Sequence, residues 1–208
     1  SIEVATTFRF GWVFNVWAGN MGLMMLIAGS LHWYFYIHKG QGKELKFDRR
    51  DLAKNNKLWN FSNQVRDNMF WSLFSGIGQL TIFHVLTMWL MANSYVPQIT
   101  WTENTGWFLF LLIILPVWSA FHFYWIHRIL HIPIMYKIAH SLHHKNVNIG
   151  PWSGLSMHPI EHLLYFSSIC IHWLIASHPV HIIFHVLWLG PGAAMTHTGY
   201  EELLVKDK

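Results

Sequence analysis

The 208 residues are 53% apolar and only 12% charged, with a mean hydropathy of +0.27, a balance that suits a bilayer better than water in a chain long enough for one domain. Fourteen Lys and Arg against ten Asp and Glu give a net charge of +4, but these cations are not interleaved with exposed aromatics along a groove-sized stripe, which argues against a nucleic-acid binder. The single cysteine, Cys170, lies inside an apolar run and excludes both a disulfide framework and a thiolate metal site.

The chain begins at Ser1 without a cleavable signal pattern, so an initial segment is expected to precede it. Four stretches are apolar enough to matter. Residues 10–37, 69–92 and 106–126 each reach the length of about 20 residues that a membrane-crossing helix needs, and Pro116 is expected to kink the third. The fourth, 160–189, is interrupted by "SHPVH", and its arms of roughly 15 and 10 residues are short for single crossings. A re-entrant hairpin or a tilted helical pair therefore competes with one crossing. The stretches "WAGNMGLMMLIAG" and "FSGIGQLTIFHVLTMWLM" read as helix-packing surface whose small residues permit close approach, with the lining of a lipid tunnel as the alternative.

Charge sets the orientation. Residues 38–68 contain eight Lys and Arg, whereas 93–105 contain none, so the first loop is expected inside and the second outside. Trp12, Trp33, Trp71, Trp101 and Trp107, near span ends, fit an interfacial belt. The third stretch then returns the chain to the inner face. There it runs into "WIHRILHIPIMYKIAHSLHHKN", where His127, His131, His140, His143 and His144 fall within 18 residues.

On a helix, residues three and four apart share a face, so His127 aligns with His131, and His140 with His143 and His144. Pro133 is the natural break between the two groups. Five imidazoles can thus be aimed at one small volume. Neutral imidazole suits Fe, Zn, Cu and Ni. One ion takes about four to six ligands, so five clustered histidines with further candidates downstream point to two metals. Two neighbouring redox metals with open positions suit the binding and reduction of O2, whereas zinc would suit hydrolysis. Single histidines on apolar faces, such as His32, His38, His84 and His172, read as hydrogen-bonded core residues. Ionisable groups clustered at membrane depth read as functional.

"HPIEH", residues 158–162, matches the His-x-x-Glu-His pattern of a zinc protease class. Pro159 argues against it, because proline belongs at a helix's first position, which makes His158 a cap and Glu161 an anion in the first turn. His158, Glu161 and His162 then either orient ligands or line a pocket, or are helix-start chemistry alone. His178, His181 and His185 fall at the break in the last apolar run, and His178 and His181 read as a polar turn near the opposite surface. Haem is a rival ligand for His84, His172 and His185. "NVNIGPWSG", beside the cluster, either shapes substrate entry or is a plain connector.

"HRILH" followed eight residues later by "HSLHH", after the aromatic lead-in "FYWIHR", resembles the fatty acid hydroxylase and sterol desaturase superfamily of membrane di-iron oxygenases. More loosely, "GPWSGLSMHPIEHLLYF" and "THTGYE" resemble stretches that follow in a bacterial branch, so that the resemblance covers residues 65–208. Carried onto this chain, it makes His127 and His131 a first ligand pair, His140, His143 and His144 a second group, and His197 a further ligand. His122 stands where relatives often carry an acidic residue and would orient a ligand imidazole. A later His-x-x-His-His cluster in the family would supply more ligands; residues 198–208 contain none, and the rest of the ligand set is expected beyond Lys208.

The expected fold is an all-α integral membrane protein forming one domain over residues 1–208, with about four transmembrane helices or helical hairpins and a histidine-rich metal region, 122–208, on the cytoplasmic side. The resemblance implies two Fe ions, with zinc as a possible substitute, and O2 as co-substrate. It also implies a membrane lipid substrate, a soluble donor such as ferredoxin or a cytochrome b5-like protein, and a bacterial inner membrane. Two readings from other classes stay open: a zinc-dependent membrane hydrolase using the same histidines, and a non-catalytic subunit of a membrane assembly that keeps a vestigial site.

Overall fold

The computed structural model describes residues 2–204, and among them every regular element is helical, with isolated bridges as the sole β-type pairings. α1 (Phe10–His32) continues through a π-helical turn at Trp33–Ile37; α2 (Gln64–Phe70), a second π-helical turn at Trp71–Gly76 and α3 (Ile77–Ala92) form one rod; α4 is Thr105–Leu130. Three rods, Phe10–Ile37, Gln64–Ala92 and Thr105–Leu130, are long and apolar enough to cross a membrane. The second begins earlier than its apolar run, because Asn63 caps it by accepting a bond from the Arg66 N–H and the charged first turn stays helical. Pro116 lies inside an uninterrupted α4.

α4 shows why its composition belongs in lipid. Leu109, Ile113, Val117, Phe121 and Trp125 recur every fourth residue and are exposed, whereas Phe108, Leu111, Leu115 and Ser119 are buried. A continuous exposed apolar strip of this kind faces hydrocarbon at no cost, since lipid tails are as apolar as the side chains.

The fourth apolar run is a hairpin and not a single crossing. Between α4 and it lie the short α5 (Pro133–Met135) and α6 (Ser141–His144), joined by a π-helical turn at Tyr136–His140. The descending arm is α7 (Pro159–Phe166) followed by a 3-10 helix, Ser167–Trp173; the ascending arm is α8 (Pro179–Leu189) and α9 (Pro191–Thr196). The arms reach the far loop, where Ile99 N–H donates to Ser177 O and Ser177 N–H donates to Pro97 O. A 3-10 helix rises about 2.0 Å per residue against about 1.5 Å in an α-helix, which gives the descending arm a reach of about 26 Å, short of a hydrocarbon core of about 30 Å, as the hairpin alternative implies. The turn is held by a reciprocal histidine cap, His178 Nδ1 accepting from Val180 N–H and His181 Nδ1 accepting from His178 N–H.

The core lies between α1, α3 and this hairpin: Met24, Ala28, Ile77, Leu80, Phe166, Ile169, Ile182 and Ala194 are buried together with Trp152 and Leu155. The first loop and α2 then fix the segment after α6. Lys145 Nζ lies 2.5 Å from Asp67 Oδ2, and Asn146 Oδ1 accepts from Gln64 and Asn68. Tyr36 Oη, from the end of the first rod, donates within 2.9 Å of Ile149 O and 2.8 Å of Thr198 O.

Gly199, at φ +83, sits where these segments meet, and a Cβ there would strike Tyr36 Oη and lie 2.6 Å from Ile149 O. Gly199→Ala is therefore expected to destabilise the fold by about 1–3 kcal/mol, read as a lowered thermal midpoint in detergent. An unchanged midpoint would mean that this junction does not stabilise the chain.

Candidate metal centre

α4 ends when Ile132 turns to extended backbone (ψ 134°) and Pro133 opens the next helical segment as its first residue. The chain doubles back, so the last turn of α4 faces the π-helical turn and α6. One ring nitrogen from each of His127, His131, His140 and His144 lies within 4.8 Å of the others. The Nε2 atoms of His127 and His131 are 2.9 Å apart, as are those of His140 and His144. Two nitrogens held about 2.0–2.1 Å from one ion at a right angle are themselves about 2.9 Å apart, so both pairs have the spacing of neighbouring ligands. The donor set fits a borderline transition metal.

Glu161 completes this group. His158 caps α7 by accepting from Ile160 N–H, and Pro159 takes the first helical position, which turns Glu161 inward in the first turn. Glu161 Oε1 lies 2.8 Å from His140 Nδ1, with both side chains buried. A carboxylate accepting from Nδ1–H fixes the tautomer and leaves the Nε2 lone pair for a metal. The second carboxylate oxygen, Oε2, is buried without a partner.

His143 stands apart from those four. Its Nδ1 is a long 3.4 Å from Ser156 O, and its ring centroid is 5.9 Å from that of His197. His197 follows α9, with Nδ1 2.9 Å from Ala193 O. In each ring a carbonyl faces Nδ1, so Nε2 is the free acceptor. Four of the six histidines expected as ligands thus converge, while His143 lies between them and His197, its ring centroid 5.9 Å from that of His140 as well. Gly154 lets His197 approach: a Cβ there would strike the Ala193 carbonyl and come within 3.2 Å of His197 Nδ1.

Burial pushes His143 down to about 3, with His197 and His140 adding smaller repulsions. Burial likewise lowers His140, His144 and His197 below the usual imidazole range. These rings are neutral at pH 7, the form a metal requires. Burial pushes Glu161 the other way, up to about 8, so that one group takes up a proton on folding. The four histidines outnumber it, and between the ordinary value of 6.5 and about 3 the folded state binds fewer protons than the unfolded chain, so stability falls as pH falls through that window. The metal-free protein is expected to lose on the order of 1 kcal/mol per pH unit below 6.5, measured as denaturant midpoints between pH 7.5 and 5. A flat profile would place these rings in water.

Two expected orienting residues lie elsewhere. His122 Nε2 faces Ser167 Oγ at 3.1 Å, because position 122 points to the descending arm of the hairpin and not toward the four-histidine group. His162 is buried between Ser75 Oγ and Leu155 O, each at 3.0 Å, and fastens α7 to the second rod. His158 is a helix cap. The haem reading for His172 and His185 also fails: His172 Nε2 is 3.0 Å from His185 Nδ1, and Ser177, Ser119 and Ser168 take the outer nitrogens. Every ring nitrogen of the two already has a hydrogen-bond partner, a serine on each outer side, and His84 makes no part of that group.

Several positioning residues carried no sequence signal. Asp67 with Lys145, and Asn68 with Asn146, are each 78 positions apart and meet only through folding. Tyr136 packs its ring beside those of His131, His140 and His144, and its place one residue into the π-helical turn is what brings it there.

Residues 108–207 match the family model described as fatty acid hydroxylase. The chain is similar to a putative Delta(7)-sterol-C5(6)-desaturase of Arabidopsis thaliana, 28% identical over 184 residues that cover 84% of this chain and 60% of the plant protein. It is also similar to Delta(7)-sterol 5(6)-desaturases of Gibberella zeae, at 29% identity over 79% of this chain and 56% of that one, and of Aspergillus fumigatus, at 30% over 66% and 39%. The chain therefore spans roughly half the length of these curated relatives. No solved structure matches it. The fatty acid hydroxylase match over residues 108–207, the sterol desaturase relatives, the clustered histidines and the apolar rods together support the fatty acid hydroxylase and sterol desaturase superfamily, and the chain is a helical membrane protein.

Proposed function

We propose that this chain carries the metal-binding part of a membrane oxidoreductase that uses two iron ions and O2 to hydroxylate or desaturate an unactivated C–H bond of a lipid. The observation that carries the proposal is the convergence of His127, His131, His140 and His144 within 4.8 Å, with Glu161 fixed on His140 from behind. These four would hold one ion, and His143 with His197 would contribute to holding the second. Iron, when bound, supplies the redox chemistry that a C–H bond of this strength requires and that no side chain here provides.

The protein's own residues bind, orient and exclude water. Glu161 keeps His140 Nδ1 protonated and its Nε2 turned inward; the carbonyls of Ser156 and Ala193 do the same for His143 and His197. His140 is fully buried, whereas His131 and His144 are exposed beside the Tyr136 ring, and Ile132, Ile134 and Ile138 of the same stretch of chain are exposed. An apolar rim beside the metal group would let a lipid slide in from the bilayer while keeping bulk water from the reacting carbon. The names of the relatives make a Δ7-sterol the first substrate to test, ahead of fatty acyl, hopanoid, carotenoid and ether lipids.

We also propose that the histidine face is cytoplasmic, by the excess of Lys and Arg in residues 38–68, and, by the likeness of "GPWSGLSMHPIEHLLYF" and "THTGYE" to a bacterial branch, that the membrane is a bacterial inner membrane. The exposed Lys39, Arg49, Lys54 and Lys57 of that loop would attract an acidic donor such as a ferredoxin or cytochrome b5-like protein. The test is lipid profiling of cells with and without the intact gene. Products differing by one added oxygen or two lost hydrogens support the proposal; unchanged lipids with the protein present would favour a non-catalytic subunit.

A further inference from the structure

A groove of about 470 Å³ runs along the first and second rods, lined by Trp17 and Met21 of α1 and by Arg66, Met69, Phe70, Leu73 and Phe74. Its volume lies within the about 300–1,000 Å³ typical of small-molecule sites. It is not part of the histidine site. Along the second rod, Asn68, Ser72 and Ser75 turn toward Asn146, Trp152 and His162, whereas the groove residues occupy the neighbouring face, which is open to the surroundings: Trp17, Phe70 and Phe74 are exposed. The π-helical turn at Trp71–Gly76 contributes Leu73 and Phe74. Such turns hold one residue more than α-helical register and commonly mark functional positions.

One charged group lines the groove. Arg66 lies in the first turn of the second rod, on the same face as Asp67 and Lys145 and therefore at the histidine end of the membrane. Its side chain is exposed, and its guanidinium has no ion-pair or hydrogen-bond partner among the described residues; Asn63 accepts only from its backbone N–H. Lys145 is paired with Asp67 and Arg50 with Asp48; of the exposed cations, Arg66 is the one that lines the groove. An unpaired guanidinium at the mouth of an apolar trough presents a fork of donors to an anion whose attached chain lies in hydrocarbon. Cationic pockets between membrane helices at the basic face recognise anionic headgroups in this way.

We propose that this groove is a binding site for an anionic glycerophospholipid, whose phosphate would sit on Arg66 and whose acyl chain would lie along Met69, Leu73, Phe74, Met21 and Trp17. A lipid here bridges α1 to the second rod on the side away from the histidines, so the site is structural and separate from substrate turnover.

The test uses the full chain in phosphatidylcholine vesicles containing either brominated phosphatidylglycerol or brominated phosphatidylcholine, with Trp17 quenching isolated by comparison with Trp17→Phe. The anionic lipid is expected to be enriched about fivefold at Trp17, with Arg66→Gln abolishing the preference and Arg66→Lys keeping part of it. Native mass spectrometry of wild type and Arg66→Gln gives a second readout, with retained phosphatidylglycerol expected on the wild type alone. Equal quenching by both lipids, a preference that survives Arg66→Gln, or stronger quenching by a brominated free fatty acid would each overturn the proposal.

Discussion

His140→Ala is expected to abolish both metal retention and lipid oxidation, and to destabilise the metal-free fold as well. His140 is the one member of the four-histidine group that is fully buried, and it has two roles. Its Nε2 faces His144 Nε2 at 2.9 Å, and its Nδ1 faces Glu161 Oε1 at 2.8 Å. Truncating it removes a ligand and strips a buried carboxyl of the partner on Oε1, while Oε2 already has none. His140 is neutral at pH 7, so the contact is a buried hydrogen bond, and leaving a buried polar group without its partner costs about 1–3 kcal/mol. His144→Ala separates the two roles. That ring is exposed and carries no buried partner behind it, so its loss should remove metal with little change in the metal-free melting temperature. If both variants retain full metal content, the four-histidine group is not the site.

Glu161 gives the second large effect. Glu161→Gln keeps an acceptor oxygen for His140 Nδ1–H but removes the charge, and Glu161→Ala removes both. Partners of this type behind a metal-ligating histidine are worth about 10–100-fold in metal affinity. Glu161→Ala is expected at the upper end of that range and Glu161→Gln at the lower, measured by competition with a chelator of known affinity. Equal affinities for wild type and Glu161→Ala would mean that His140 is oriented by packing alone. The contrast with His162 supplies a control. His162 lies one position away in the sequence but bonds to Ser75 and Leu155 O, so His162→Asn should alter stability and leave metal affinity unchanged.

The distribution of roles within "HPIEH" illustrates what the sequence could and could not reveal. Pro159 announced the helix start, and with it the cap at His158 and the first-turn place of Glu161, because proline's fixed φ and missing N–H leave few other positions. Which way Glu161 and His162 then pointed depended on the packing of α7 against two other rods, information that is not local. The same division holds for the histidine cluster. Spacing alone aligned His127 with His131 and placed the break at Pro133. It also grouped His143 with His140 and His144, and the His143 ring centroid lies 5.9 Å from His140, 6.0 Å from His144 and 5.9 Å from His197, between the four-histidine group and His197.

The hairpin was legible as a break at "SHPVH" with short arms, but not the 3-10 geometry of Ser167–Trp173, which has no hydrophobic period to announce it. His122 was misread for a related reason. It shares α4 with His127, but the residue it touches, Ser167, belongs to the hairpin.

The most direct test of the central claim is metal analysis of the purified protein, made with both iron and zinc available, beside its His140→Ala, His144→Ala double variant. The four-histidine centre predicts iron in the wild-type protein, a nitrogen-dominated first shell by X-ray absorption, and loss of that signal in the variant. Stoichiometric zinc in the wild type, or iron unchanged in the variant, would contradict it.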